Sequence, residues 1–155
     1  MIETERLFIR PFTNEDVDEL LPVWSDPANE RFVGARTPET AQDVLAWFER
    51  WQPWGVWERS TGDLVGDCGL SFDVGFGAWE LSYGFRQDRW GRGYATEAAL
   101  ACVRHGFEVM GLERIVADVD PANPASMHVL EKCGFEHVGD VDGKRFYALT
   151  AERAR

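Results

Sequence analysis

Cysteine, basic residues and long apolar runs are all scarce in this sequence of 155 residues. Its three cysteines, Cys68, Cys102 and Cys133, are an odd number without CxxC spacing, which argues against a disulfide framework or a zinc site. We therefore expect no metal and a reducing compartment, the cytoplasm. The charged N-terminus and the lack of any run of about 18 apolar residues argue against a signal peptide and a membrane-spanning helix.

Lysine and arginine number 16 against 27 aspartates and glutamates, which gives a formal net charge of -11. This balance argues against nucleic-acid binding, because phosphate contacts need clustered basic residues. A negative field attracts cationic partners, but it also serves solubility, and charge alone does not separate the two. The length and a hydrophobic share of 45% predict one globular domain, residues 1–155.

The spacing of apolar residues predicts a mixture of antiparallel and parallel strands. The predicted strands cover 5–11, 55–59, 64–72, 78–86 and 114–119, followed by a hairpin over 136–149. The predicted helices follow Thr13, start at Thr37-Pro38, and cover 94–110 and 124–133. Short turns between the middle strands favour antiparallel pairing, and the later alternation of strand and helix favours a parallel crossover. We expect an α/β fold with a mixed sheet and helices on both faces.

A glycine-rich segment, Trp90-Gly91-Arg92-Gly93-Tyr94-Ala95-Thr96-Glu97, joins a predicted strand to an amphipathic helix. Its glycines lack the Cβ atoms that would keep a ligand away from the backbone. The free N–H groups and the dipole of the helix start form an anion site, for which a pyrophosphate is the natural ligand. A tight strand-to-helix turn would have the same pattern. A GxGxxG dinucleotide motif would need a glycine or alanine in place of Thr96.

A second segment, from Asn123 to Phe135, has the signals of a well-capped helix. Asn123 suits the N-cap, Pro124 the first helical position, and Gly134 the left-handed residue after the helix. Capping does not explain Ser126, which is a poor helix former in a helix interior. This serine is therefore a candidate functional residue.

The two segments together, WGRGYATEA and NPASMHVLEKCGFE, resemble the GNAT superfamily of N-acetyltransferases. The opening TERLFIRPFTNEDV and the turn TGDLVGDCGL resemble its RimJ/RimL-type branch, the ribosomal-protein alanine acetyltransferases. The resemblance covers nearly the whole chain. It implies the GNAT fold, a mixed, mostly antiparallel twisted sheet of about seven strands. In that fold the strands at 78–86 and 114–119 splay apart around acyl-CoA.

The resemblance also implies which residues bind acetyl-CoA. The pyrophosphate loop of the family corresponds to Arg89 to Ala95, and strand 81–87 would pair its backbone with the pantetheine arm. Asn123 would hydrogen-bond the cofactor, and Ser126 would lie near the thioester sulfur. The expected cofactor-binding residues are Phe85, Gln87, Arg89, Gly91, Arg92, Gly93, Tyr94, Ala95, Asn123 and Ser126. One position departs from the family pattern, since Asp88 stands where Gln or Arg is usual.

Acyl transfer to an amine needs a neutral amine, a hydrogen bond to the carbonyl oxygen and a donor to the leaving thiolate. Glu80 is the candidate base, although an outward-facing strand carboxylate fits its pattern equally, and Asp118 and Asp120 are alternatives. Ser126 is the candidate donor to the sulfur, with Tyr147 as another. A thiolate leaves readily, so direct attack in a ternary complex needs no enzyme nucleophile. The cysteines are then packing residues.

The expected acceptor is a primary amine, either a protein N-terminus or a small molecule. A lysine amine with a pKa near 10.4 is about 0.1% neutral at physiological pH, whereas an α-amine is on the order of 10–20% neutral. A weak carboxylate base therefore favours an N-terminal amine or a small amine of low pKa. An aminoglycoside-like or polyamine-like acceptor is the alternative, because the negative field suits such cations.

Two further expectations concern partners. Four tryptophans near the acceptor region are expected mostly in the core, with one or two lining the acceptor pocket: Trp47, Trp51, Trp54 and Trp57. Exposed edge strands make a homodimer plausible. An alternative function outside the enzymes is a non-catalytic acyl-CoA sensor or interaction module, which would bind the acyl donor without turnover.

Overall fold

The computed structural model describes residues 1–29 and 39–154. In these ranges eight strands form one sheet, in the order β1-β2-β3-β4-β5-β6-β8-β7. The strands are β1 (Ile2–Glu3), β2 (Leu7–Pro11), β3 (Trp54–Glu58), β4 (Leu64–Asp73), β5 (Ala78–Phe85), β6 (Arg114–Val119), β7 (Glu136–Val141) and β8 (Lys144–Thr150). The helices are α1 (Val17–Ser25), α2 (Ala41–Trp51), α3 (Tyr94–Glu108), α4 (Pro124–Lys132) and α5 (Ala151–Ala154).

The mixed, mostly antiparallel sheet is confirmed, with one strand more than the sequence predicted. The additional strand is the two-residue β1. Among the described strands, β5 and β6 alone pair in parallel. At the far edge, every residue of β7 is exposed. The homodimer expected from such edges stays a prediction.

Local capping explains where α2 begins. Thr37 and Pro38, the predicted start, lie outside the described residues. The helix begins at Ala41, where the Thr40 hydroxyl accepts a hydrogen bond from the Asp43 backbone N–H at 3.1 Å. In return, the Asp43 carboxylate accepts from the Thr40 N–H at 3.0 Å. This reciprocal pair is a capping box, and it fixes the start of the helix.

Helices cover both faces of the sheet, as expected. On one face, α3 and α4 pack against a buried cluster that includes Leu7 and Ile9 of β2. On the other face, α1 and α2 pack against a second cluster, which includes Phe8 of β2. Because successive side chains of a strand point to opposite faces, these neighbours divide between the two clusters. We call the two sides the α3–α4 face and the α1–α2 face.

The sheet opens between β5 and β6. The two strands share only the pairs Trp79–Ile115 and Glu80–Val116. From there β5 stays paired with β4 as far as Phe85, and β6 stays paired with β8 as far as Val119. The carboxyl halves of β5 and β6 therefore diverge, and α3 and α4 begin at the end of the gap.

Candidate active site

The gap between β5 and β6 is a cleft of about 520 Å³. Its walls come from β5, β6, the loop before α3 and the start of α4. The sequence-predicted residues that line it are Glu80, Phe85, Arg89, Gly91, Gly93, Tyr94, Ala95, Asn123 and Ser126, together with the alternatives Asp118 and Asp120. Two expected residues, Gln87 and Arg92, are exposed and are not part of this lining. The cleft thus gathers most of the predicted residues on one surface.

The glycine-rich loop turns sharply into α3. Gly91 and Gly93 both adopt left-handed backbone conformations, with φ of 78° and 80°. Gly93 is the N-cap of α3, so the N–H groups of Tyr94, Ala95 and Thr96 have no intrahelical acceptor. Apart from its two chain neighbours, no atom of residues 1–29 and 39–154 lies within 4 Å of the position that a Cβ on Gly91 would occupy. This open concavity of N–H groups at a helix start suits a pyrophosphate group.

Side-chain charges around the loop largely cancel. The Arg89 guanidinium lies 3.0 Å from Asp63, 3.0 Å from Asp88 and 3.4 Å from Glu58. Asp88 also pairs with Arg86 at 2.8 Å. Asp88, which replaces the usual Gln or Arg of the family pattern, is therefore neutralised by two arginines. An anion in this loop depends chiefly on main-chain donors.

A buried carboxylate, that of Glu58, contacts side chains of the glycine-rich loop and of the start of α3. Glu58 of β3 is 3% exposed. Its oxygens accept hydrogen bonds from the Tyr94 hydroxyl at 2.6 Å and the Thr61 hydroxyl at 2.8 Å. Arg89 and Arg92 lie 3.4 and 3.5 Å away. The two hydroxyl donors and the nearby arginines hold the pKa of Glu58 below its ordinary value.

Glu80 stands where the two strands begin to part. It points to the α1–α2 face, because Leu81 beside it packs in the opposite cluster. Asp118 of β6 faces the same side, since Ala117 and Val119 belong to the α3–α4 cluster. Burial, followed by the charge of Asp118 and its hydrogen bond, raises the pKa of Glu80 to about 8. A carboxyl group with this pKa exchanges protons near neutral pH, as a general base must.

Ser126 lies on the other face of the gap and has an unpredicted partner. The Tyr83 hydroxyl of β5 is 2.7 Å from the Ser126 hydroxyl and donates to the Ser126 carbonyl oxygen at 3.2 Å. Asn123 caps α4, its side-chain oxygen accepting from the Ser126 N–H at 3.2 Å. The Asn123 oxygen is thus engaged in the cap, and its amide nitrogen is the group left to face the cleft. The serine is anchored by both neighbours.

Several candidates lie outside the cleft lining. Tyr147 is fully buried, and its hydroxyl has no hydrogen-bond partner within residues 1–29 and 39–154. The four tryptophans near the expected acceptor region are also absent from that lining, while Trp24 of α1 is present. Arginines of the protein already stack on two of the four, Arg10 on Trp57 and Arg50 on Trp51. The three cysteines are buried and free.

Tyr83, Trp24 and Asn29 also line the cleft, and the sequence prediction gave none of them a role of its own. Asn29 is buried and its side-chain oxygen accepts from the backbone N–H of Gln87 at 2.8 Å, which ties the loop to the chain after α1. The described residues contain no group of three or more metal-ligating side chains. None of the described helices is long and apolar enough to cross a membrane.

The sheet with its splayed strands, the main-chain anion loop and the capped serine helix define an acyl-CoA-dependent transferase. The Acetyltransferase (GNAT) domain family model matches residues 6–136. The chain therefore belongs to the GNAT acetyltransferase family, and it is an acyltransferase enzyme. Acetyl-CoA is the acyl donor in this family.

Relatives and solved structures agree with this assignment. The chain is 31% identical to the uncharacterized N-acetyltransferase p20 of Bacillus licheniformis over 88% of this chain and 82% of that protein. It is 28% identical to the FsC-acetyl coenzyme A-N(2)-transacetylase of Aspergillus fumigatus, over 97% and 76% of the two chains. A GNAT-family acetyltransferase from Bacillus anthracis superposes with a TM-score of 0.83 at 27% identity, covering 97% and 98% of the two chains.

Proposed function

We propose that this enzyme transfers acetyl from acetyl-CoA directly to a primary amine in a ternary complex, as a RimJ/RimL-type acetyltransferase. One observation carries the proposal. A carboxyl group with a raised pKa, Glu80, and a hydroxyl pair, Ser126 and Tyr83, line the same cleft from opposite faces of the sheet. An amine that attacks from the α1–α2 face would thus displace a thiolate towards the α3–α4 face.

The donor side of the cleft suits acetyl-CoA. The N–H groups of Tyr94 and Ala95 at the start of α3 would hold the pyrophosphate. The edge of β5 up to Phe85, unpaired beyond Glu80 on the side facing β6, would hydrogen-bond the pantetheine amides. The Asn123 amide nitrogen would donate to the same arm. Gln87 and Arg92, which do not line the cleft, would act at its rim.

The residues divide the chemistry between them. As the amine nitrogen bonds to the acetyl carbon, its proton passes to the ionised Glu80, and the carbon–sulfur bond breaks. The electron pair leaves on the sulfur, where the Ser126 hydroxyl donates a hydrogen bond to the developing negative charge. The buried cysteines are not used, so no acetyl-enzyme forms. The proton on Glu80 then returns to solvent.

The charge around Glu80 indicates the kind of acceptor. Asp118 and Asp120 line the cleft beside it, and the Lys144 ammonium lies 3.8 Å from Asp118. Such a negative site attracts an ammonium group and releases the neutral amine when a nearby base takes the proton. We infer a protein N-terminal amine or a small amine of low pKa. A polyamine-like or aminoglycoside-like acceptor is the second candidate, and the same acidic surroundings favour it.

The test combines binding and turnover on the purified chain. Isothermal titration should give one acetyl-CoA site per chain, and release of free thiol should follow when a primary amine is added. Short peptides with free N-termini, spermidine and an aminoglycoside, each compared with its pre-acetylated form, separate the acceptor classes. If the chain bound acetyl-CoA but turned over none of these amines, the proposal would be contradicted and the chain would be an acyl-CoA-binding protein.

The loop assignment gives a prediction of its own. Gly93→Ala should weaken acetyl-CoA binding about tenfold, because a side chain at φ of 80° is strained and distorts the anion loop. Gly111→Ala is the matched control, since Gly111 has φ of 70° and follows α3 at its other end. Both variants should lose similar stability in a thermal melt. An equal change in Kd in both would show that the loop is not the binding element.

A further inference from the structure

A single hydrogen bond bridges the two walls of the cleft. Tyr83 belongs to β5, and Ser126 belongs to α4, which follows β6. Their hydroxyl oxygens are 2.7 Å apart, and both residues line the cleft. Backbone pairing with Cys68 of β4 holds Tyr83 in register. The bridge therefore joins the two elements that diverge around the acyl donor.

Either hydroxyl can donate the hydrogen bond between them, because each carries one hydrogen and accepts through its oxygen. Burial raises the pKa of Tyr83 above its ordinary value, so the phenol keeps its proton throughout the neutral range. Its proton has two acceptors on Ser126, the hydroxyl oxygen at 2.7 Å and the carbonyl oxygen at 3.2 Å, and the hydroxyl oxygen is the closer of the two. A serine hydroxyl that accepts a hydrogen bond still has its own hydrogen to donate. When the phenol donates to the serine oxygen, the serine hydrogen points away from Tyr83.

We propose that Tyr83 is a positioning residue that orients the Ser126 hydroxyl, so that the serine hydrogen is directed at the departing sulfur. The inference rests on the proposed function. It adds a residue that acts through Ser126 and does not itself contact the substrate. Without the phenol, the serine hydroxyl rotates freely and often turns its hydrogen to the solvent or the main chain. Orientation of a donor before the reaction is what makes it effective against developing charge.

The anchor of Ser126 supports this role. Asn123 holds the Ser126 N–H at 3.2 Å, so the serine backbone is fixed at the third position of α4. The remaining freedom is rotation of the side chain and of the hydroxyl hydrogen. Tyr83 restricts that freedom through its 2.7 Å contact with the serine hydroxyl. It approaches from the opposite wall, so closing or widening the cleft would change the bond.

The experiment is a double-mutant cycle with Tyr83→Phe, Ser126→Ala and the double variant. Tyr83→Phe keeps the ring and should lower kcat about tenfold, with the Kd for acetyl-CoA changed less than about twofold. In the Ser126→Ala background, Tyr83→Phe should have no further effect on kcat, because its target is gone. Thr150→Val is the control, since it removes a hydroxyl from β8 outside the cleft lining and should leave kcat unchanged.

The outcomes separate this inference from the function itself. An active wild-type enzyme with an unchanged Tyr83→Phe variant would overturn the role of Tyr83 alone. Independent, multiplicative losses in the double variant would do the same, because they would mean that Tyr83 does not act through Ser126. A loss of acetyl-CoA affinity equal to the loss of kcat/KM would make Tyr83 a binding residue. A wild-type enzyme without turnover on any amine would overturn the proposed function, and the inference with it.

Discussion

Glu80→Gln is expected to lower kcat/KM about a hundredfold or more, because a positioned general base contributes on that scale. The loss should lie in kcat, with the Kd for acetyl-CoA almost unchanged, since Glu80 lies near the start of β5 and the proposed pyrophosphate loop follows the end of that strand. Initial rates of thiol release and isothermal titration measure the two quantities. Glu108→Gln, an exposed change on α3, is the matched control and should leave both unchanged.

The pH dependence of the rate should show whether Glu80 is the general base. It is a base only when ionised, and its pKa is raised to about 8, so the wild-type rate should fall as the pH drops below 8. The charged groups that act on it are Asp118 of β6, Asp73 of β4 and Lys144 of β8. An acceptor amine of much lower pKa keeps its own titration out of this range. This fall in rate on the acidic side of the pH profile, the acidic limb, should then be absent in Glu80→Gln. If the variant kept it, Glu80 would not be the base.

Two neighbouring substitutions should move this limb in opposite directions. Asp118→Asn removes a negative charge that opposes ionisation, so the apparent pKa of Glu80 should fall. Lys144→Met removes a positive charge that favours ionisation, so it should rise. Shifts of the same sign would contradict the assignment. This comparison does not depend on the absolute rate of either variant.

The raised pKa of Glu80 should also make the stability of the fold depend on pH, which can be measured without any substrate. Between the ordinary value of 4.5 and about 8, the folded protein keeps the Glu80 proton that the unfolded chain has lost. The unfolded state thus binds fewer protons, and wild-type stability falls over this window as the pH rises. Glu80→Gln, which never ionises, should therefore raise Tm at pH 8 and have little effect at pH 4.5. Melting curves at both values measure the difference.

Local signals in the sequence were enough to predict the framework of the site. Gly91 and Gly93 predicted the turn into α3, and Asn123 with Pro124 predicted the start of α4, because capping depends on residues a few positions apart. The order of strands and helices predicted the mixed sheet, and the resemblance to the GNAT superfamily implied the gap between β5 and β6. The capping box of Thr40 and Asp43 is also a local signal, and it lies three positions after the predicted start at Thr37-Pro38.

The remaining features depend on contacts between distant parts of the chain. Tyr83 and Ser126 are 43 positions apart, so no spacing rule pairs them. Tyr94 and Glu58 are 36 positions apart and belong to a helix and a strand. Each of these residues also fits an ordinary strand or helix pattern, and only the folded sheet brings them together. The raised pKa of Glu80 could not be predicted from local sequence either, because it depends on burial and on Asp118, which is distant in the chain.

Glu58→Ala, a change outside the cleft lining, is expected to lower the free energy of unfolding by about 2 kcal/mol. It leaves the Tyr94 hydroxyl without its acceptor and removes a carboxylate close to Arg89. Chemical denaturation measures the loss. Glu136→Ala is the matched control, since Glu136 also pairs with an arginine, Arg153, but both are exposed. An exposed pair contributes at most about 1 kcal/mol.

Glu58→Ala should also weaken acetyl-CoA binding, and its effect on stability should depend on pH. With Glu58 gone, Tyr94 and Arg89 no longer hold the start of α3, so acetyl-CoA should bind about tenfold more weakly. The folded pKa of Glu58 is lowered, so its stabilising effect is present above the ordinary value of 4.5 and disappears as the pH falls through the folded pKa. The stability gap between wild type and Glu58→Ala should therefore narrow in acid. A gap that is constant from neutral to strongly acidic pH would show that Glu58 acts through packing, and not as the anion that holds the loop.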